Sequence, residues 1–193
     1  MVRNQLGLKQ RAHGAGLKSQ LDMLSASMVE AVLAACEAYA ELGVPYALVG
    51  GLAAGAFGRP RFTKDIDFLV GEQAFRKSGL IISFALPMPL QAGDVAIDPI
   101  PLPEEPARRA ALSAALASPE IDTTTGHRIP VLAPTWLAYM KLASPRGKDC
   151  DDIVGMMQAG RVDMDLLRSA VATDAELAAR LDAAVAELAL AED

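Results

Sequence analysis

Cysteine and histidine are scarce in this chain, and each shortage removes a class of chemistry. Among 193 residues the only cysteines are Cys36 and Cys150, and the only histidines are His13 and His127. With no Cys-x-x-Cys and no Cys/His cluster, neither a zinc site nor a disulfide framework is indicated. Both histidines stand in polar, loop-like contexts that suit solvated surface residues better than ligands. Positive charge is short as well: the formal net charge is -6. That balance argues against a protein that coats nucleic acid non-specifically, although a local basic groove stays compatible with an RNA end. Apolar runs of membrane-spanning length are missing, as is a signal-peptide pattern, so no membrane partner and a cytoplasmic location are expected. Internal repeats and low-complexity segments are absent too, apart from an enrichment in alanine. What the chain does have is 52% hydrophobic residues, enough for a sizeable core in one domain with a helical appendage at most.

The chain is organised around residues 46–70. A short apolar run over 46–49 is expected to be a buried strand, and Gly50-Gly51 then opens a helical stretch ending near Phe57. A basic turn leads to Asp65-Ile66-Asp67 and a second apolar run, Phe68-Leu69-Val70. Side chains two apart on a strand share a face, so Asp65 and Asp67 project together, about 6–7 Å apart at their backbones. Like charges so placed repel unless something positive lies between them, and a hard divalent cation with oxygen ligands is one solution. An Asp65 that closes a turn and an Asp67 solvated at an edge is the other. The double glycine presents backbone N–H groups at a helix start with no side chain in the way, which suits phosphate. A tight strand-to-helix turn would use the same residues. The Gly-x-Gly-x-x-Gly spacing of a dinucleotide site is absent, and so is the Gly-Lys-Ser/Thr of a Walker loop.

Taken together, Gly50-Gly51-x-Ala53 and Gly58-x-x-Arg61-x-Thr63-x-Asp65-Ile66-Asp67 resemble the motif of the nucleotidyltransferase (polymerase β-like) superfamily, in particular its small bacterial AbiEii-like and related toxin-type members. The resemblance implies an α/β (α+β) fold: a nucleotidyltransferase core with a short mixed β-sheet, followed by a C-terminal helical segment. It also implies Mg²⁺-dependent transfer of a nucleoside monophosphate from an NTP. Gly50, Gly51, Arg61 and Thr63 would then hold the nucleotide, and Asp65 and Asp67 would hold two Mg²⁺. The acceptor implied is an RNA end or a protein, and the toxin-type members bring with them the expectation of an antitoxin partner. Two other readings stay open: an inactive module that binds nucleotide without turning it over, and an interaction protein using an acidic helical surface.

The remaining segments are placed around this stretch. Residues 1–19 carry Arg3, Lys9, Arg11 and Lys18 with no acidic residue, and read as a basic arm or a frayed terminus. Leu21, Leu24, Met28, Val32, Cys36 and Leu42 lie mostly on one face of a helix that Gly43 is suited to end. Residues 71–78 read as a turn with a short helical piece, 80–86 as a strand closed by Pro87 and Pro89, and 95–100 as a strand bearing Asp98. The superfamily pattern includes a third carboxylate, acting as general base or metal ligand, on a strand beside the Asp-x-Asp strand. Asp98 fits that place better than Asp94, four residues earlier, while Pro99 suggests a strand end or an edge. After a proline-rich connector, a helix is expected over 107–117, and residues 121–125 and 128–132 suggest a hairpin around Gly126.

Everything beyond residue 134 reads as helical: 134–143, 148–158, 164–172 and a last helix capped by Thr173 with Glu176 three residues on. The expected organisation is therefore an arm (1–19), a core (20–133) and a helical segment (134–193) packing across the cleft. One constellation stands out there: Lys141, Arg146, Lys148, Asp149 and Asp152. The resemblance implies that Lys141 faces the cleft, neutralising triphosphate charge as a catalytic and nucleotide-binding residue, with Asp149 beside it. Asp149 near a helix start also has a plain capping explanation.

Overall fold

The computed structural model describes residues 16–78, 81–144 and 146–192. Most of the basic arm, including Arg3, Lys9 and Arg11, therefore lies outside the described residues, as does His13.

Two helices open the described chain: α1 (Gly16–Leu21) and α2 (Ala26–Leu42). The expected single helix from Leu21 is broken because Ser25 adopts an extended conformation, and its side chain accepts from the Met28 N–H as an N-cap. Leu21 belongs to the short first helix. At the other end Gly43 takes φ 65° and stops α2, as expected.

The central sheet is mixed and six-stranded. It contains β1 (Tyr46–Leu48), β2 (Asp65–Val70), β5 (Gln91–Ala92), β6 (Val95–Pro101), β7 (Glu120–Asp122) and β8 (Ile129–Val131), in the order β5-β6-β2-β1-β8-β7. Strand β2 runs antiparallel to β1 and parallel to β6, and β1 runs parallel to β8. The hairpin around Gly126 thus extends the sheet rather than covering it. Helices cover both faces, which explains why β2 is apolar without alternation after its two aspartates. On one face the Phe68 ring packs edge-on against Tyr39 of α2, with ring centroids 5.1 Å apart. On the other lies α3 (Gly50–Phe57), joined to β1 through the single residue Val49.

Between β2 and β5 the expected short helical piece and a strand within 80–86 form, but residues 75–78 depart from expectation. A 3-10 turn (Glu72–Ala74) leads into β3 (Phe75–Ser78), which pairs only with β4 (Ile81–Phe84) in a separate two-stranded ribbon. The polar run 76–78 reads as a turn because all three of its side chains are exposed and carry no apolar alternation to betray a strand.

Strand β6 pairs with β5 only through Val95 and Ala96, supplemented by the Ile97 N–H donating to the Leu90 carbonyl at 3.0 Å. Beyond Ile97 its outer side carries no strand among the described residues. Amide direction alternates along a strand, so residues 99 and 101 are the next two whose nitrogens face outward. Both are prolines.

After α4 (Pro106–Leu116) and the β7–β8 hairpin come four helices: α5 (Pro134–Leu142), α6 (Gly147–Gln158), α7 (Met164–Val171) and α8 (Ala175–Glu192). Helices α5 and α6 pack on α3. Gly58, just past α3, permits the closest of these approaches: a Cβ there would lie 2.9 Å from the backbone of Gly155 and Met156 on α6. The expected Thr173 cap of α8 does not form. Asp174 accepts from the Leu177 N–H instead, and its other carboxylate oxygen pairs with Arg108 of α4. No described helix is long and apolar enough to cross a membrane.

Candidate functional site

A cleft of about 100 Å³ lies where the start of α3, the start of β2 and the α5–α6 junction meet. Its walls carry Gly50, Gly51, Arg61, Thr63, Asp65 and Asp67 from one side. From the other come Lys141, Arg146, Lys148 and Asp149.

The glycine pair is fixed by what touches it. Gly50 has φ 68°, and a Cβ added there would fall 1.8 Å from Asp67 Oδ2. The carboxylate therefore occupies the space that any side chain at 50 would need. A Cβ on Gly51 would fall 2.5 Å from an Arg61 guanidinium nitrogen. One residue pair thus brings a carboxylate and a guanidinium against the first turn of a helix, whose leading N–H groups have no intrahelical partner.

Asp65 and Asp67 share a face, as the strand period requires. Asp98 is opposite Asp67 in the parallel β2–β6 register and shares that face, whereas Asp94 sits in the β5–β6 turn. Asp98 is exposed and lies outside the cleft lining. Burial pushes the Asp67 carboxyl above the ordinary aspartate value, the charges of Asp65 and Asp98 push it further, and Lys141 and Arg146 only partly offset them. Thr63 Oγ1 lies 2.9 Å from Asp65 Oδ1, positioned to donate to it. Among the described residues no group of three or more His, Cys, Asp or Glu side chains is placed to hold a metal ion by itself.

The cationic wall is a buried ionic chain. Arg61 donates through Nε and Nη2 to the two oxygens of Asp152 at 2.8 and 2.9 Å, a bidentate pair. Lys141 Nζ lies 2.7 Å from Asp152 Oδ2 and 2.8 Å from Asp149 Oδ1. Arg146 Nε donates to the other Asp149 oxygen at 2.9 Å. Lys141, Asp149 and Asp152 are buried, so these charges persist only because they are paired. Burial pushes the Asp149 carboxyl up, but hydrogen bonds from Lys141, Ser144 and Arg146, with the Lys141 charge, hold it below the ordinary value. The Asp152 hydrogen bond raises Arg61 above its ordinary value against some desolvation.

All the expected residues except Asp98 and Asp152 therefore line one cleft, but Lys141 is engaged by two carboxylates. The cations with exposed side chains at the cleft are Arg146 and Lys148. Asp152 of the same constellation lies behind the cleft, and one further residue, Gln20, has no local pattern to announce it. Asp152 is the hub joining Arg61 to Lys141. Gln20 of α1, fully buried, grips the Arg61 backbone from both sides: its amide donates to the Arg61 carbonyl at 2.6 Å and its oxygen accepts from the Arg61 N–H at 3.1 Å. Forty-one positions separate the two in sequence.

No protein-family model matches the chain, and no curated protein sequence does. Among solved structures, an antigenic nucleotidyltransferase-like protein from Paracoccidioides brasiliensis is similar at 18% identity, covering 81% of this chain and 90% of that one, with a TM-score of 0.45. A likeness at that level assigns no residue a role.

Proposed function

We propose that the cleft is the active site of a Mg²⁺-dependent nucleotidyltransferase that moves a nucleoside monophosphate from an NTP to an RNA end or a protein side chain. The observation that carries this reading is the contact at Gly50: the Asp67 carboxylate and the first turn of α3 form one site, so an acid and a row of N–H donors face the same small volume.

The donor set fits a hard divalent ion. Asp65 and Asp67 offer carboxylate oxygens on one face, and Mg²⁺ is commonly held by one or two carboxylates together with substrate phosphates rather than by an all-protein cage. When bound, such an ion supplies positive charge beside the attacking and leaving oxygens of an in-line displacement.

The chain's own groups do the rest. The N–H groups of Gly50 and Gly51 bind phosphate oxygens, and Arg146 and Lys148 reach the outer phosphates from the opposite wall. Arg61 and Lys141 are locked by Asp152 and Asp149, so their charge is largely balanced and they shape the wall without moving. In the transfer an acceptor oxygen bonds to the α-phosphorus, the bond to the bridging oxygen breaks, and pyrophosphate leaves. Asp98, exposed beside Asp67, is the candidate to take the acceptor's proton. In the toxin-type reading this modification is what an antitoxin partner would restrain.

The test is incubation with each α-labelled NTP, Mg²⁺, total RNA and cell extract. Label should appear on RNA or protein, and Asp65→Ala or Asp67→Ala should abolish it. Label that persists in either variant would refute the assignment. NTP binding without turnover would instead favour the inactive module, a reading that the double engagement of Lys141 supports.

A further inference from the structure

The loop between α3 and β2 holds an aromatic ring out in solvent beside the cleft. Phe62 is 76% exposed, yet it sits between two cleft-lining residues, Arg61 and Thr63. Both neighbours are pinned. Gln20 grips the Arg61 backbone, Asp152 holds its guanidinium, and Thr63 is bonded to Asp65. The backbone that carries the ring is thus held at a set place, so little main-chain entropy remains to be lost when something stacks on it. Around it the loop bears Arg59, Arg61 and Lys64; Arg61 is neutralised by Asp152, which leaves Arg59 and Lys64 as its cations outside any ion pair among the described residues. Arg59 is bonded to the neutral side chain of Gln158, with Asp151 and Glu187 lining the same pocket but not paired to it, and Lys64 is exposed.

An exposed ring flanked by cations is the arrangement that binds single-stranded nucleic acid: the ring stacks on a base and the cations follow the backbone. The geometry points to Phe62 as the platform for an unpaired base of an RNA acceptor, whose end would then lie next to Asp65 and Thr63. This inference rests on the transferase reading of the cleft and narrows its acceptor to single-stranded nucleic acid. A protein acceptor would offer no run of phosphates for Arg59 and Lys64.

Binding can be measured apart from transfer. An eight-nucleotide fluorescein-labelled single-stranded RNA is titrated with the whole protein in EDTA, without NTP, and followed by anisotropy. Phe62→Ala should weaken binding about tenfold, the effect of losing one base–aromatic stack, while Phe62→Trp should keep wild-type affinity. The same RNA annealed to its complement should bind more weakly and respond little to Phe62→Ala. The variant changes an exposed side chain, so its melting temperature and its stabilisation by NTP and Mg²⁺ should match wild type. RNA binding that depends on Phe62 without any transfer would uphold this inference and sink the transferase reading. Transfer to RNA with equal affinity in wild type and Phe62→Ala would overturn this inference alone, as would label found on protein with no measurable RNA binding.

Discussion

Position 50 shows how little freedom a single residue has in this cleft. Its backbone is in the left-handed region and the Asp67 carboxylate fills its side-chain space, so Gly50→Ala pays for a strained backbone and a displaced acid together. A loss of about 1–3 kcal/mol is expected, read as a lower urea midpoint, along with loss of NMP transfer. Asp67 should behave oppositely. Its raised pKa means that the folded protein disfavours the ionised form, so at neutral pH the charge costs stability, and the cost disappears as pH falls through the folded value. Asp67→Asn should therefore melt higher at pH 7 than wild type, by about 2–4 °C if the relieved repulsion is near 1 kcal/mol, and the advantage should vanish in acid. A variant that melts lower at pH 7 would contradict this. These residues were legible in the sequence because their relations are local: a two-residue strand period for Asp65 and Asp67, and a glycine pair at a strand-to-helix turn. The pairing of Lys141 with Asp152 was not, because it depends on how α6 folds back against α5.

Between elements, Asp152 ties three pieces of chain into one wall: the loop after α3, the end of α5 and the body of α6. Asp152→Ala would leave Arg61 without its bidentate partner and Lys141 with Asp149 alone. A loss of about 3–5 kcal/mol is expected, measured by urea unfolding, and a loss below 1 kcal/mol would show that the network is solvated in practice. Asp149 adds a pH dependence of known sign. Its folded pKa is lowered, so its stabilisation is complete above the unfolded value and is lost as pH falls through the folded one. Wild type should lose stability more steeply than Asp149→Asn below about pH 4, when melting temperatures are compared across acid buffers. Element boundaries were readable where a residue acts on its own backbone, as Gly43 does in ending α2. They were misread where a neighbour could play the same part: Ser25 split the first helix, and Asp174 took the cap from Thr173 because Arg108 also holds it. The β3 strand has no signal of its own, since it exists only in partnership with β4.

At the scale of the whole molecule, ligand binding should be visible as stability. A species that binds only the folded cleft adds about 2.7 kcal/mol at a hundredfold excess over its dissociation constant. NTP with Mg²⁺ should thus raise the melting temperature by about 5–10 °C at this chain length, and Asp65→Ala should abolish most of that rise. An equal rise without Mg²⁺ would argue for the inactive module. The outer side of β6 has a different consequence. An uncovered strand edge is a template on which another chain can grow, and what it offers is a row of outward N–H donors. Here the two outward positions beyond Ile97 are Pro99 and Pro101, which have none to offer. The strand can leave Asp98 uncovered without inviting edge-to-edge aggregation. Replacing both prolines with threonine should restore those donors at little cost to the β2 pairing, and the altered protein should scatter light sooner than wild type when each is held just below its melting temperature.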